Sequence, residues 1–546
     1  MKALMMDMPL LTSAIVRHAE RNHPNCEIVS VTVDNPLHRY TYKDCFRRTR
    51  QLANALEGLG LRQGDRVATL AWNDYRHMEA YHAIGGAGFV CHTINPRLFP
   101  EQVAFIINHA EDRFVMVDVL VLPLLEKLKE HIKGVEGFIV MTSEAAMPET
   151  SLDNVMCYET LIAGESDEYD WPVLDENAAV AMCYTSGTTG DPKGVVYSHR
   201  SQVLHAYASI TTDATGISNG DVVLPVVPLF HVNAWGIPYS APMVGAKLVF
   251  PGPKMGDGET LHKLMESEKV TMAMGVPTVW TALLQHLETS GGTLSTVNRT
   301  LIGGAAVPES MIREFRDKHD VEVCQGWGMT EMSPIGTVGT LKAGMEETLS
   351  ADELVTVRAK AGRGLFGVEM RIVDDDGNEL AWDGEKAGAL QVRGPWVCSD
   401  YYRLEGSAGT HTDDGWFETG DVAKIDADGY LQITDRTKDV IKSGGDWVSS
   451  IDVENVATGH PAVAHAAVIG VQHSKWSERP LLIVVPKEGE SPEPADILKF
   501  FDGKIATWWV PDDVVFIDEM PLTATGKIKK IDLRERFADY RLPTDT

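Results

Sequence analysis

The chain predicts an α/β protein: a large N-terminal domain of helix-covered β-sheets with a small β-barrel, then an α+β C-terminal domain beginning near Asp435. Three observations lead there. With 546 residues the chain exceeds what one hydrophobic core holds, because domains usually run to roughly 100–200 residues. From about residue 42, amphipathic stretches alternate with short β-rich runs, the pattern of repeated βα units. Residues 365–434 then switch to brief alternating runs joined by Asp-Gly turns, which reads as antiparallel sheet or a small barrel.

Taken in chain order, Leu52, Leu56 and Leu59 stand at i, i+4 and i+7 on one helical face, and RVATL at Arg66–Leu70 opens a first strand. Phe114–Val117, Gly137–Met141, Ala179–Cys183, Asp221–Val226, Lys247–Phe250 and Met272–Met274 are further strands separated by helical lengths. A mostly parallel sheet with chemistry on its loops is therefore expected. GVEMRIVDDDGNEL, GALQVRG and GYLQITD supply the antiparallel region. The domains are read as 1–434 and 435–546, and the absence of a low-complexity linker makes their junction short.

Lysine plus arginine total 49 against 78 aspartate plus glutamate, a formal charge of −29, with mean hydropathy −0.12. Such a field repels nucleic acid and anionic membranes over most of the surface, so a bound polyanion needs a local basic pocket. Seven dispersed cysteines form no C-x-x-C, which fits a reducing cytoplasm better than a disulfide framework. Asp7 and Pro9 interrupt the N-terminal apolar run and no stretch of 18 apolar residues occurs, so neither a signal peptide nor a membrane span is expected. His77 with His82, and His460 with His465, stand at i, i+5, which does not bring both imidazoles to one helical face, so no metal site is expected there.

The densest chemical signal is YTSGTTGDPKG at 184–194. A strand end runs into Thr185, Ser186, Gly187, Thr188, Thr189 and Gly190, followed by Lys193 and Gly194. Glycines let backbone amides approach a phosphate, hydroxyls add donors, and a lysine supplies a point charge. A Walker A loop needs G-x-x-x-x-G-K-[ST]; here Pro192 stands five positions after Gly187 and Gly194 follows Lys193, so that reading fails. Further on come QGWGMTE (325–331), ETGD (418–421), DRTKDVIKSGGDWVSS (435–450) and PLTATGKIKK (521–530). Trp327 offers a flat π-face, Glu331 a hard carboxylate oxygen, and Asp421 two acceptor oxygens. Arg436, Lys438, Lys442, Lys527, Lys529 and Lys530 would give the positive potential that a polyphosphate requires, with Lys529 and Lys530 expected to face solvent.

Five motifs in this order resemble those of the adenylate-forming superfamily of acyl-CoA synthetases, peptide-synthetase adenylation domains and luciferases, and the similarity covers nearly the whole chain. The resemblance implies an AMP-forming acid–thiol ligase with ATP and coenzyme A as co-substrates, Mg2+ as cofactor and a homodimeric, cytoplasmic protein without nucleic-acid or membrane partners. It implies Lys527, His231, Thr330 and Glu331 as catalytic residues. Around ATP it implies Thr185, Ser186, Gly187, Thr188, Thr189, Gly190, Lys193, Gly304, Ala305, Ala306, Gln325, Gly326, Trp327, Gly328, Met329, Asp421, Ile433 and Arg436. Thr185 and Glu331 would hold the metal, and Lys442, Gly444, Gly445, Trp447 and Lys475 would meet coenzyme A. Asp435 matches the hinge about which the C-terminal domain rotates between half-reactions.

PLFHVNAWG at 228–236 resembles the family's acyl-pocket segment, which puts Trp235, Val232, Gly303 and Gly304 around the acyl group. A bulky indole there shortens the space for a tail, and no arginine or lysine among these positions could pair a second carboxylate. Similarity to methylmercaptopropionate-CoA ligases and medium-chain fatty-acyl-CoA ligases makes 3-(methylthio)propanoate the first expectation. A general medium- or long-chain fatty-acid-CoA ligase and an enzyme loading a carrier protein are the alternatives. In TWWVPDDVVF (507–516) the chain has Asp512 and Asp513 where relatives carry basic residues, which weakens a coenzyme A contact there.

Overall fold

A computed structural model describes the chain except residues 2, 186–190, 405–409, 438, 440, 444, 445, 524–527 and 546, and at 442, 446 and 447 it describes the backbone alone. Seven strands form one sheet in the order Val155–Cys157, Gly137–Val140, Asp112–Val117, Arg66–Leu70, Val90–Thr93, Ala179–Tyr184, Gly194–Ser198. Every ladder in it is parallel except the last. A nine-stranded sheet is ordered Arg363–Gly364, Ile335–Val338, Glu322–Gly328, Arg299–Gly303, Met272–Gly275, Val222–Pro225, Lys247–Phe250, Glu27–Ser30, His38–Thr41. It is parallel at its centre and antiparallel at both edges.

The helices are set by caps and by one apolar face. Thr41 and Asp44 start Tyr42–Gly58 with a reciprocal box: Thr41 Oγ1 accepts from the Asp44 N–H at 3.3 Å, and the Thr41 N–H donates to Asp44 Oδ2 at 3.1 Å. Phe46, Leu52 and Leu56 then turn inward and are wholly buried, with Leu59 just past the last turn.

The antiparallel region departs from the barrel expected of it. Glu369–Val373, Gly388–Arg393, Phe417–Ile425 and Leu431–Arg436 make an open four-stranded sheet whose outer strands do not pair with each other among the described residues. Four strands are too few to close around their own side chains. Ile372, Leu390, Val392 and Phe417 instead pack on Val180, Cys183, Val195 and Tyr197 of the seven-stranded sheet.

Asp435 and Arg436 end their strand, and the next one, Ile441–Ser443, belongs to the C-terminal sheet. That sheet runs Asp446–Val448, Ile441–Ser443, Ser477–Pro486, Val463–His473, with Asp513–Phe516 parallel to Ser477–Pro486. The helices Ser450–Thr458 and Lys530–Arg536 pack on it through Val453 and Leu533. Among the described residues no helix is long and apolar enough to cross a membrane.

Candidate active site

The C-terminal ends of four parallel strands open onto one cavity of about 810 Å³. Gly303 and Gly328 end their strands at its wall, while Val226 and Val276 follow theirs by one residue. Open α/β sheets place ligands at this end, and the volume suits a cofactor-sized ligand. Arg436, Asp439, Thr523, Ile528, Lys529 and Arg534 form the opposing wall.

Trp327 and Glu331 are positioned by the hairpin that follows Glu322–Gly328. A Cβ on Gly328 would lie 2.1 Å from the Pro334 carbonyl oxygen, so only glycine lets the two arms pass. Trp327 donates from Nε1 to Asp421 Oδ2 at 2.9 Å, and Arg436 Nε lies 2.8 Å from Asp421 Oδ1. Asp421 is buried, so its two oxygens are spoken for by a ring and a cation that both reach the cavity.

The turn Thr330–Met332 is strapped down from two sides. Tyr197 donates its hydroxyl to the Thr330 carbonyl at 2.7 Å, and the Cys398 N–H donates to the Glu331 carbonyl at 2.7 Å. Tyr401 donates to Glu331 Oε1 at 2.6 Å; burial and the adjacent carboxylate push its phenol far above the ordinary value, so it remains a donor. Glu331 Oε2 carries no hydrogen bond among the described residues. Thr185 Oγ1 accepts from the Lys193 N–H at 3.3 Å, and Lys193 Nζ stands 4.9 Å over the Tyr401 ring. A carboxylate and a hydroxyl in one cavity are the hard oxygen donors that Mg2+ accepts, completing its shell with water and phosphate.

The acyl side is built on an unusual backbone. Val232, Asn233, Ala234 and Trp235 hold φ of 45°, 53°, 44° and 57°, a left-handed turn made without glycine before Gly236. Each such residue costs about 1–2 kcal/mol, so packing must impose it. Asn233 is wholly buried and accepts from the Tyr81 hydroxyl at 3.2 Å; Val232 and Ala234 are buried beside it. The turn throws the Trp235 indole across the cavity onto Gly303, where a Cβ would come within 3.0 Å of the ring. His231 and Val232 line the same cavity.

Of the residues expected at the site, the cavity gathers Thr185, Lys193, His231, Val232, Trp235, Gly303, Gly304, Gly326, Trp327, Gly328, Met329, Thr330, Glu331 and Arg436. Asp421 reaches it only through Trp327 and Arg436, while Ala305, Ala306, Gln325 and Ile433 are not on its wall. Gln325 is turned to the backbone, its Oε1 accepting from the Val307 N–H at 3.2 Å. Lys475 is exposed with Nζ 4.5 Å over the Trp476 ring, away from the cavity. Ser186, Gly187, Thr188, Thr189, Gly190, Gly444, Gly445 and Lys527 lie outside the described residues, as do the side chains of Lys442 and Trp447.

Lys530 corrects its expectation: it does not face solvent. Nζ lies 2.7 Å from Glu454 Oε1 and 2.5 Å from Ser450 Oγ, with its side chain 12% exposed. Burial opposes its charge, yet Glu454 and Asp435 outweigh that and hold the ammonium above its ordinary value. Asp435 is itself buried, accepting from the Ser450 N–H at 3.0 Å. Asp512 and Asp513 also have internal partners, Arg479 at 2.5 Å and the Tyr540 hydroxyl at 2.6 Å. Sequence reasoning missed Tyr401, Arg97, Asp439 and Arg534, all on the cavity wall. Asp439 lies within DRTKDVIKSGGDWVSS without being singled out there, no local motif marks Tyr401 or Arg97, and Arg534 stands in the last turn of the helix that begins at the end of PLTATGKIKK.

Family comparison matches residues 16–402 to the AMP-binding enzyme family and residues 452–527 to the AMP-binding enzyme C-terminal domain. The chain is 51% identical over 535 residues, 98% of each chain, to the 3-methylmercaptopropionyl-CoA ligase of Ruegeria lacuscaerulensis. It is 47% identical over 538 residues, again 98% of each chain, to the medium-chain-fatty-acid–CoA ligase of Ectopseudomonas oleovorans. The crystal structure of an anthranilate CoA ligase in complex with anthranoyl-AMP matches with a TM-score of 0.85, covering 98% of this chain and 99% of that one; at 24% identity the likeness is one of fold.

Proposed function

This chain belongs to the AMP-binding enzyme family and is an AMP-forming acyl-CoA ligase, and from that premise we propose that its acid is a short or medium apolar monocarboxylate, 3-(methylthio)propanoate first among them. The observation that carries this choice is the Trp235 indole lying against Gly303, on the wall of a cavity that Val232 and Leu301 also line. These three side chains carry no charge, which suits an apolar acyl group, while Arg97 lines the same cavity beside Phe230. Identity to ligases of 3-methylmercaptopropionate and medium-chain fatty acids supports the same class.

In the first half-reaction a carboxylate oxygen attacks the α-phosphorus of ATP, forming the acyl-adenylate and expelling pyrophosphate. Trp327 would face the adenine, Asp421 would accept from the ribose hydroxyls, and Arg436 would turn to ribose or phosphate oxygens; their mutual hydrogen bonding supports the grouping. Thr330 and the 185–193 loop would contact the phosphates. Glu331 and Thr185 would hold Mg2+, which when bound offsets polyphosphate charge and polarises the phosphoryl oxygen. Tyr401 keeps Glu331 in place by donating to Oε1, leaving Oε2 for the metal. Lys527 would stand between the attacking carboxylate and the α-phosphate, both anionic, where its charge offsets their repulsion. His231 would border the acid's carboxylate.

In the second half-reaction the coenzyme A sulfur attacks the acyl carbonyl carbon, its proton passes to solvent, and AMP leaves. We read residues 1–434 and 435–546 as units that reorient about Asp435 between the two steps, with Lys442, Gly444, Gly445 and Trp447 on the pantetheine path. A homodimer in the cytoplasm is the assembly and compartment that go with this reading. Pyrophosphate release is measured with ATP and Mg2+ over 3-(methylthio)propanoate, butyrate, octanoate and palmitate, with and without coenzyme A, and thioester is read by mass. The largest kcat/KM is expected at 3-(methylthio)propanoate or butyrate. A maximum at palmitate defeats the short pocket, and acyl transfer to a carrier-protein thiol but not to coenzyme A defeats the choice of thiol.

A further inference from the structure

The helices Gly258–Glu268 and Pro277–Ser290 pack side by side and bring His262 and His286 together, and neither imidazole lines the catalytic cavity. His262 Nδ1 lies 3.3 Å from His286 Nε2. His262 Nε2 lies 3.1 Å from the Thr293 carbonyl oxygen. A carbonyl can only accept, so the proton of the neutral ring sits on Nε2, and Nδ1 accepts a hydrogen bond from the His286 Nε2–H; an ion between the rings would take that proton's place, His286 then carrying its proton on Nδ1. A histidine whose far N–H is held by a backbone carbonyl is oriented and tautomer-fixed as metal-ligating histidines are. Two imidazole nitrogens bound at about 2.0–2.1 Å to one tetrahedral ion stand about 3.3–3.4 Å apart. The observed separation already equals that edge.

Both rings are seated rather than splayed. A Cβ on Gly292 would lie 2.5 Å from His262 Cε1, and one on Gly258 would lie 3.0 Å from His286 Cβ, so each histidine occupies space that glycine leaves. Asp257 and Glu259 are near enough to His286 to sense its charge, with Lys254 and Lys263 acting on the same two carboxyls and His319 within reach of His262. Both imidazoles are half-buried and so reachable from solvent. No third His, Cys, Asp or Glu completes a set of three among the described residues.

The geometry points to a two-histidine site, His262 with His286, for a borderline divalent ion of the Zn2+, Ni2+ or Cu2+ class that fills its remaining positions with water. Imidazole selects these ions over Mg2+, which prefers oxygen, so the site is chemically distinct from the magnesium position at Glu331. The ion ties together two helices that start near the cavity: Gly256 lines it two residues before one helix, and Thr278 and Val279 line it from the first turn of the other. Binding requires neutral rings and is lost on acidification through the imidazole range.

The test is calorimetric titration of Zn2+ into the full chain at pH 7.5 with excess Mg2+ present, alongside melting temperatures. One equivalent is expected to bind and to raise Tm, with affinity falling more than about tenfold in both His262→Gln and His286→Gln, while His319→Gln binds as the parent does. The parent loaded with Cu2+ is expected to show two equatorial nitrogens by electron paramagnetic resonance, a readout independent of whether a variant folds. Zn2+ binding unchanged in both variants, or a copper spectrum with fewer than two nitrogens, overturns the site.

Discussion

The wall of the cavity built by residues 299–335 presents Trp327, Thr330 and Glu331, each held by a neutral donor or acceptor or by a carboxylate from its own side. The wall built by residues 436–534 presents Arg436, Lys529, Lys530 and Arg534, and every one of these cations already has an acid: Asp421, Asp532, Glu454 and Asp439 in turn. On the first wall, ligand binding fills vacant valences. On the second, an incoming anion would have to displace a carboxylate, because these four cations already stand paired. The lesson is that a run of lysines and arginines in an acidic chain measures capacity for exchange rather than standing field.

The comparison is broken most strongly by removing the cation proposed to stand between the attacking carboxylate and the α-phosphate. Lys527→Ala is expected to lower acyl-adenylate formation by about 10²–10³ while leaving thioester formation from preformed acyl-adenylate near the parent rate. Equal losses in both half-reactions, measured by single turnover, would return Lys527 to a folding role. On the other wall, Glu331→Gln is expected to cut pyrophosphate release by about a hundredfold and to raise the Mg2+ concentration needed for half-maximal rate. Tyr401→Phe removes only the orienting donor and is expected to cost about tenfold, again visible in the Mg2+ dependence. If the two variants lose activity without a shifted Mg2+ requirement, the metal does not sit on Glu331.

The smallest effect concerns the seam between the walls. Burial raises the Asp435 carboxyl above its ordinary value, against the pull of Lys530 and the Ser450 N–H. A folded-state value above the unfolded one means that the folded chain holds the proton more tightly. Its contribution to stability is therefore present at low pH and is lost as pH rises through the window above the usual carboxylate range. Asp435→Asn removes that slope, so its Tm is expected to gain on the parent as pH rises above the usual carboxylate range. Parallel curves would show that the carboxyl is ionised throughout.

Much of the architecture was legible because its signals are local. The strands Arg66–Leu70, Lys247–Phe250 and Met272–Gly275 are apolar β-rich runs bounded by turns, and the nucleotide motifs are contiguous in sequence. What escaped was fixed by partners distant along the chain. Tyr401 finds Glu331 across 70 residues, and Lys530 finds Ser450 across 80. Asp-Gly turns announced antiparallel pairing between 365 and 434, but whether those strands close or lean on a neighbour depends on Val180 and Val195, which belong to another sheet. The left-handed turn at Val232–Trp235 had no local sign at all, since none of its four residues is glycine.

That turn also bears on how the protein can change. Its handedness is held against the intrinsic preference of four L-residues, so a glycine at Ala234 would relax the backbone while giving up a wholly buried methyl group. At most positions a lineage widening its diet must accept a weaker fold. At Ala234 the relieved backbone would return part of what the lost packing gives up, so handedness and burial are set against each other there.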